Sequence, residues 1–208
     1  YKLLFAAPEV VRDLVLGFIP DPWLQGLDYG TLEKVPASYV ADDLRQRSDD
    51  VVWRVKAGEE WLYLYILIEF QSHVDPFMAV RMLVYVGLLY QDLIRRREVK
   101  PGHPLPPVLP IVLYNGGKTW TAPTELAALL PQVPGRVADY LPQLRYLLID
   151  ENRYGEEELA AMHNLVAAII RFEHPANDQA LLALIDLLND WLAGRPELKR
   201  TFALWIRA

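Results

Sequence analysis

The chain has 208 residues, a formal net charge of −6 and no cysteine. Its length allows one sizeable core, or one domain with an attached helical extension. The absence of cysteine excludes a disulfide scaffold, a thiolate zinc site and a cysteine nucleophile, and it fits the reducing cytoplasm where we expect the protein. No apolar run approaches the ~20 residues that cross a bilayer, and no signal peptide is apparent, so we expect no membrane partner.

The N-terminal part is predicted to hold one helix followed by a mixed segment. The helix starts at Pro8, where apolar residues recur at helical spacing, and it ends before Pro20. Beyond it, turn signals stand at Asp21-Pro22 and Tyr29-Gly30, and residues 35–40 predict a short strand.

The central part predicts a buried sheet. Four apolar segments have the length of strands: residues 51–55, 61–70, 108–114 and 144–149. The first two are joined by a short loop that contains glycine, which is a hairpin signal. Asp75-Pro76 predicts the start of a helix that runs to about Arg97. Asn115-Gly116-Gly117 predicts a turn that readily supplies positive φ, and residues 121–130 predict a short helix.

After Asp150 the pattern is helical throughout. Three amphipathic helices are predicted: residues 156–171, 178–192 and 196–206. Strands with interleaved helices come first and helices follow, which indicates an α/β fold with a mixed central sheet and a helical C-terminal part. We therefore expect a core of residues 1–150 and a helical region of residues 151–208 that packs on the core or extends it.

Polar side chains at the ends of two neighbouring apolar strands form the candidate site. Asp50 comes directly before one strand, and Glu69 and Gln71 share one face at the end of the next because strand side chains alternate. If Lys56 pairs with Trp61, or the pairing is shifted by two, Asp50 lies on the same face beside Leu67 or Glu69. A shift of one residue would put the two carboxylates on opposite faces.

Two carboxylates within a few ångströms either share a proton or hold a cation. Hard oxygen ligands without cysteine or clustered histidine favour Mg²⁺ or Mn²⁺, which could polarise a phosphoryl oxygen. Gln71 could orient a water molecule or contact phosphate, and Arg81 could supply positive charge from the following helix. The structural alternative is that Asp50 caps a turn and Glu69 forms an ion pair with Arg54 or Arg81.

Local basic groups matter because a net charge of −6 argues against general attraction to nucleic acid. Six basic residues lie in two groups: Arg45, Arg47, Arg95, Arg96, Arg97 and Lys100. The second group follows a predicted helix, where such a run is usually a solvated helix end that complements the helix dipole. Contact with phosphate is the alternative.

Five stretches carry a family resemblance in chain order: RSDDVVWRV at 47–55, YLYILIEFQS at 63–72, DPFM at 75–78 with Arg81 and Tyr85, PIVLYNG at 110–116 with Trp120, and YLLID at 146–150. Together they resemble the recombination-promoting nucleases of bacteria, also labelled transposases, within the PD-(D/E)XK nuclease superfamily. The resemblance implies a mixed, restriction-endonuclease-like sheet flanked by helices. It also implies metal-dependent hydrolysis of DNA phosphodiester bonds.

The resemblance also implies roles for individual residues. The superfamily aspartate falls on Asp50, and the (D/E)XK triplet falls on Glu69-Phe70-Gln71, with Gln71 where many relatives carry lysine. The main-chain carbonyl of the middle residue, Phe70, often joins the metal shell in this superfamily. Asp50, Glu69 and Phe70 would thus hold the metal, with Gln71 and Arg81 completing the catalytic set.

The resulting hypothesis is a DNA endonuclease of low sequence specificity, dependent on Mg²⁺ or Mn²⁺ and linked to recombination or mobile elements. Arg54 and the six basic residues would contact DNA. The alternative is a nuclease-fold module that does not cut and instead tethers DNA or binds another protein. The sequence leaves formation of a homo-oligomer open.

Overall fold

The structure is a computed structural model in which the described residues are 1–36, 51–57, 62–175 and 177–207, with only the backbone described at Leu62 and Tyr63. The chain divides into two compact units. One combines Tyr1–Gly30 with Glu151–Ala208, and the other is Thr31–Asp150. The division into domains 1–150 and 151–208 stays a prediction; in these compact units the first thirty residues group with the C-terminal helices.

The strands within the described residues are β1 Asp28–Val35, β2 Val51–Ala57, β3 Leu62–Gln71, β4 Val108–Tyr114 and β5 Leu147–Asp150. The α-helices within the described residues are α1 Pro8–Phe18, α2 Pro22–Gln25, α3 Met78–Arg95, α4 Glu156–Met162, α5 Leu165–Glu173, α6 Asp178–Trp191 and α7 Pro196–Ile206. Across these described residues, no helix combines the length and the apolar character that a bilayer crossing requires.

The sheet is mixed, and its strands lie in the order β1-β2-β3-β4-β5. β2 pairs with β3 antiparallel, and β3 with β4 and β4 with β5 are parallel pairs. The parallel pairs need crossover connections, which α3 and the segment between β4 and β5 provide. A mixed sheet with helices and a helical C-terminal part confirms the predicted α/β fold class.

The first strand differs from its prediction. β1 begins at Asp28 and runs through Tyr29-Gly30, which the sequence predicted as a turn. Of the predicted strand at 35–40, Val35 is the last residue of β1, and positions 37–40 lie outside the described residues. β1 is a sheet edge with mostly exposed or half-buried side chains, so no apolar alternation marks it in the sequence.

Helix α3 covers one face of the sheet. Its buried residues include Met78, Met82 and Leu89, and they pack in one apolar cluster with sheet residues such as Leu67 and Val112. The helix begins at Met78, later than the predicted start at Asp75-Pro76, because Asp75 first forms a turn in which its Oδ1 accepts from the Phe77 amide at 2.9 Å. The burial of this apolar stripe fixes which side of α3 faces the sheet.

The predicted helix at 121–130 is wrong. In its place is a short 3₁₀ helix at Leu126–Leu129. The backbone here bonds to a distant segment instead of to itself: the Leu126 amide donates to the Leu144 carbonyl at 2.9 Å, and the Tyr146 amide donates to the Thr124 carbonyl at 3.0 Å. These long-range bonds use groups that an α-helix would need for its own ladder.

In the other unit, the predicted helix at 156–171 is divided into α4 and α5. His163 between them has φ 50°, in the left-handed region that ends a helix. Asn164 then caps α5 by accepting from the Ala167 amide at 2.7 Å, and Asp13 on α1 accepts from the Leu165 amide at 2.8 Å. Side chains therefore satisfy amides that a continuous helix would have paired internally.

Gly116, in the turn after β4, is needed because a side chain would not fit there, and not because its backbone has positive φ. Neither Gly116 nor Gly117 has positive φ, contrary to the prediction. A Cβ at Gly116 would overlap the Ser72 carbonyl oxygen and the Tyr114 hydroxyl, whereas a Cβ at Gly117 would meet nothing within 4 Å. The turn after β4 therefore packs directly against the backbone that follows β3.

We predict that Gly116→Ala destabilises the protein and that the neighbouring Gly117→Ala does not. The first substitution forces backbone to move, at a cost of about 1–3 kcal/mol. The second only restricts the unfolded chain and should be neutral or stabilising by about 0.4–1 kcal/mol. Urea unfolding of the two variants measures the difference; equal stabilities would show that the close approach at Gly116 is not a packing constraint.

Candidate metal and phosphate site

Glu69, near the end of β3, carries the charge around which the site is built. Its side chain is 1% exposed, although it lies among apolar strand residues. Its Oε1 accepts a hydrogen bond from Gln71 Nε2 at 2.8 Å and a second from Arg81 Nη2. A buried carboxylate is tolerated only when donors or a cation compensate it, and these two side chains provide that compensation.

Arg81, in the first turn of α3, spreads its guanidinium over three partners. Nη2 donates to Glu69, Nη1 lies 3.3 Å from Asp75 Oδ2, and Nε donates to the Tyr85 hydroxyl at 3.0 Å. Burial lowers the pKa of the Arg81 guanidinium, but the negative charge of Glu69, together with the interactions with Tyr85 and Asp75, raises the pKa overall. The guanidinium is therefore a fixed positive charge between two carboxylates.

Gln71 presents its amide in a defined orientation. A carboxylate only accepts hydrogen bonds, so the group that contacts Glu69 must be the amide nitrogen. The amide oxygen of Gln71 consequently lies on the far side of its Cδ from Glu69. Together with the Glu69 carboxylate and the main-chain oxygen of Phe70, it gives this strand end oxygen donors of the kind that Mg²⁺ and Mn²⁺ prefer.

The strand register determines what lies opposite Glu69. Lys56 pairs with Tyr63 and Val51 pairs with Ile68, which is the second of the two registers that the sequence analysis considered. Asp50, the predicted second carboxylate, lies outside the described residues, as do Arg45 and Arg47.

Arg54 is in ion pairs on the same face of the sheet. It contacts Glu33 and Glu98, each at 2.7 Å. Burial lowers the pKa of Arg54, but Tyr65 and Glu33 raise it overall. The structural alternative of an ion pair between Glu69 and a nearby arginine is therefore realised by Arg81. Arg54 has other partners.

The structure does not bring the basic residues at the end of α3 close to Glu69. Arg96 pairs with Asp92 at 2.7 Å, while Arg95, Arg97 and Lys100 are exposed. At 1.5 Å per residue, the end of α3 lies about 21 Å along the helix from Arg81. Arg97 has φ 62°, so this group spans a left-handed helix stop, as in an ordinary helix end.

Asp75 and Tyr85 are the residues of this network that the sequence analysis did not assign to the site. Asp75 was predicted as a helix cap; instead its carboxylate accepts from the Phe77 amide in the turn before α3 and pairs with Arg81. Tyr85 follows Arg81 by four residues, the spacing at which side chains meet on one helix face. That spacing was the available signal.

A second group of potential ligands lies in the other unit. Glu151, Glu173 and His174 place one ligand atom each within 4.8 Å of one another. The Tyr1 hydroxyl lies 2.6 Å from Glu151 and 2.7 Å from Glu173, so one hydroxyl proton serves two carboxylates. Burial and the two negative charges raise the pKa of Tyr1. None of these residues belongs to the predicted site.

Comparison with known proteins identifies the family. The family model described as "Putative transposase, YhgA-like" matches residues 1–202. The chain therefore belongs to the YhgA-like transposase family, as its motifs predicted. No solved structure matches the chain.

Curated relatives carry nuclease names. The chain is 29% identical over 188 residues to "Recombination-promoting nuclease RpnD" of Escherichia coli O157:H7, covering 90% of this chain and 70% of the relative. It is 28% identical over 207 residues to "Recombination-promoting nuclease RpnA" of E. coli K12, covering 97% and 68%. It is 27% identical over 192 residues to "Inactive recombination-promoting nuclease-like protein RpnE" of E. coli K12, covering 92% and 62%. The chain thus spans between three fifths and three quarters of these relatives, and both active and inactive names occur among them.

We predict that removing Arg81 from the Glu69–Arg81 pair destabilises the protein more than removing the charge of Glu69. Arg81→Gln leaves a buried charge uncompensated, at about 3–5 kcal/mol. Glu69→Gln removes that charge and leaves Arg81 with Asp75 and Tyr85, so we expect a loss of about 1–2 kcal/mol. Urea unfolding near pH 8 in chelator measures both.

Arg171→Gln is the matched control for this prediction. Arg171 is 16% exposed against 17% for Arg81, but its partner Glu156 is 43% exposed, so its loss should cost about 0.2–1 kcal/mol. If Arg81→Gln costs no more than this control, the Glu69 charge is compensated by something other than Arg81.

Proposed function

We propose that the chain is a divalent-metal-dependent DNA endonuclease of low sequence specificity that hydrolyses phosphodiester bonds in DNA recombination, within the cytoplasm. The observation that carries the proposal is the register of β2 and β3. Val51 pairs with Ile68; in the sequence, Asp50 comes directly before Val51 and Glu69 directly after Ile68. Continuing the antiparallel pairing by one residue would place their carboxylates side by side on one face.

The names of the relatives support this proposal. Two of the curated proteins that match over 90% or more of the chain are named recombination-promoting nucleases. The oxygen-rich donor set at the end of β3 fits Mg²⁺ or Mn²⁺ and lacks the sulfur that a soft metal would favour.

In this proposal Asp50, Glu69 and the main-chain oxygen of Phe70 hold the ion, which when bound polarises a phosphoryl oxygen and lowers the pKa of bound water. Gln71 stays neutral at every pH, so it orients the attacking water through its amide oxygen and does not remove its proton. Arg81 supplies a positive charge for the phosphate as negative charge develops on it.

In this proposal the basic residues contact DNA at a distance from the bond that is cleaved. Arg95, Arg97 and Lys100 are exposed, and about 21 Å separates the end of α3 from Arg81. At 3.4 Å per step, that distance spans about six base pairs of duplex. Arg54, already paired with Glu33 and Glu98, would make a weaker contact, and we extend the proposal to Arg45, Arg47 and Arg96.

A specific observation favours a second candidate function. Glu69 is already compensated by Arg81 and Gln71, so the fold does not need a metal to tolerate this charge. A relative of similar identity is named inactive. The second candidate is therefore a nuclease-fold module that tethers DNA or binds a protein without cutting.

We predict that the purified full chain nicks supercoiled plasmid in Mg²⁺ or Mn²⁺. We expect Asp50→Ala and Glu69→Ala each to lower the rate about 100-fold or more, because each removes a preorganised charge at the reacting phosphate. Gel electrophoresis of nicked and linear products measures the rate.

Glu157→Ala, an exposed acid on α4, is the control and should keep the parental rate. Cleavage that survives both site substitutions would remove the proposed active site. DNA binding by the parent without cleavage and without any response to metal would establish the tethering module instead.

A further inference from the structure

The coordination capacity of Glu69 Oε1 is already used. A carboxylate oxygen offers about two lone-pair positions, and Oε1 accepts from both Gln71 Nε2 and Arg81 Nη2. A cation that binds this oxygen must therefore take the place of one donor, and a cation that binds Oε2 would lie a few ångströms from the Arg81 guanidinium and repel it. The two donors differ in charge, because Gln71 is neutral and Arg81 is a cation.

From this arrangement we propose that Arg81 is a displaceable counter-ion: its guanidinium occupies the cation position at Glu69 and leaves it when a divalent cation binds. The inference rests on the proposed function, since it concerns the same metal site. It goes further by stating that Arg81 and the metal compete for one carboxylate. Arg81 thus weakens metal binding at this carboxylate.

Electrostatics decides which donor leaves. A divalent cation and a guanidinium a few ångströms apart repel each other, and the repulsion is strong where the site excludes water. Gln71 carries no charge and stays beside the carboxylate. Arg81 is therefore the group that gives way.

The structure also provides a place for Arg81 after release. Nε can keep its hydrogen bond to the Tyr85 hydroxyl while the rigid guanidinium pivots about it, and Nη1, which lies 3.3 Å from Asp75 Oδ2, stays beside that carboxylate. These contacts hold the guanidinium near the site while its Nη2 becomes free to donate. A phosphate matches the donor geometry of a guanidinium, so the displaced arginine becomes a phosphate ligand.

The test compares Mn²⁺ binding by calorimetry in the 208-residue chain and its variants. Arg81→Gln removes the competing charge, so we expect Mn²⁺ to bind at least about fivefold more tightly than in the parent. Arg81→Lys keeps the positive charge and should retain the parental affinity. Arg171→Gln removes an equally buried arginine from the other compact unit and should also bind as the parent does.

The outcomes separate the inference from the proposed function. Mn²⁺ binding by the parent that Glu69→Gln abolishes and Arg81→Gln leaves equal or weaker would overturn the displacement inference and keep the metal site. Absence of Mn²⁺ binding in the parent and in every variant would remove the metal site and the inference together. Tighter binding in Arg81→Gln alone supports the competition.

A second measurement uses the unmodified protein, in case Arg81→Gln does not fold without metal. In ¹⁵N-labelled protein, the Arg81 guanidinium signals are assigned by their loss in Arg81→Lys. We expect Mg²⁺ to shift the Nη signals, because the bond to Glu69 is lost, and to leave the Nε signal in place, because the bond to Tyr85 persists. Nη signals that do not respond at saturating Mg²⁺ would contradict displacement.

Discussion

The negative charge of Glu69 must be compensated inside an apolar sheet, and the architecture around it follows from that requirement. An isolated ionised carboxylate at a water-free position costs several kcal/mol. Strand alternation places Gln71 on the same face two residues later, and the helix after β3 returns Arg81 over the same strand end. Two elements that are separate in sequence are thereby tied to one side chain.

The packing of the apolar core determines the geometry of the candidate site. The packing of Met78, Met82 and Leu89 against the sheet fixes the rotation of α3, and that rotation aims Arg81 at Glu69. The same pair is compatible with a metal site and with a purely structural ion pair, which is consistent with a family whose named members include nucleases and inactive proteins. What distinguishes these two states is whether a cation can compete for the carboxylate.

Elements with strong local signals were predicted well, and elements that depend on distant partners were not. β4 at Val108–Tyr114 is a continuous apolar run with its own turn, and its bounds match the prediction. The predicted helix at 121–130 failed because its backbone bonds to residues near Leu144. The predicted turn at Tyr29-Gly30 failed because an exposed edge strand has no apolar alternation to reveal it.

The sequence by itself determined the α/β class, the family and the common face of Glu69 and Gln71, since composition, motif order and the two-residue period of a strand are local properties. Only the tertiary structure decided the register that pairs Val51 with Ile68, and the choice of Arg81 over Arg54 as the partner of Glu69. Register and ion pairing depend on which surfaces meet after the chain has folded. A pattern read along one strand does not contain that information.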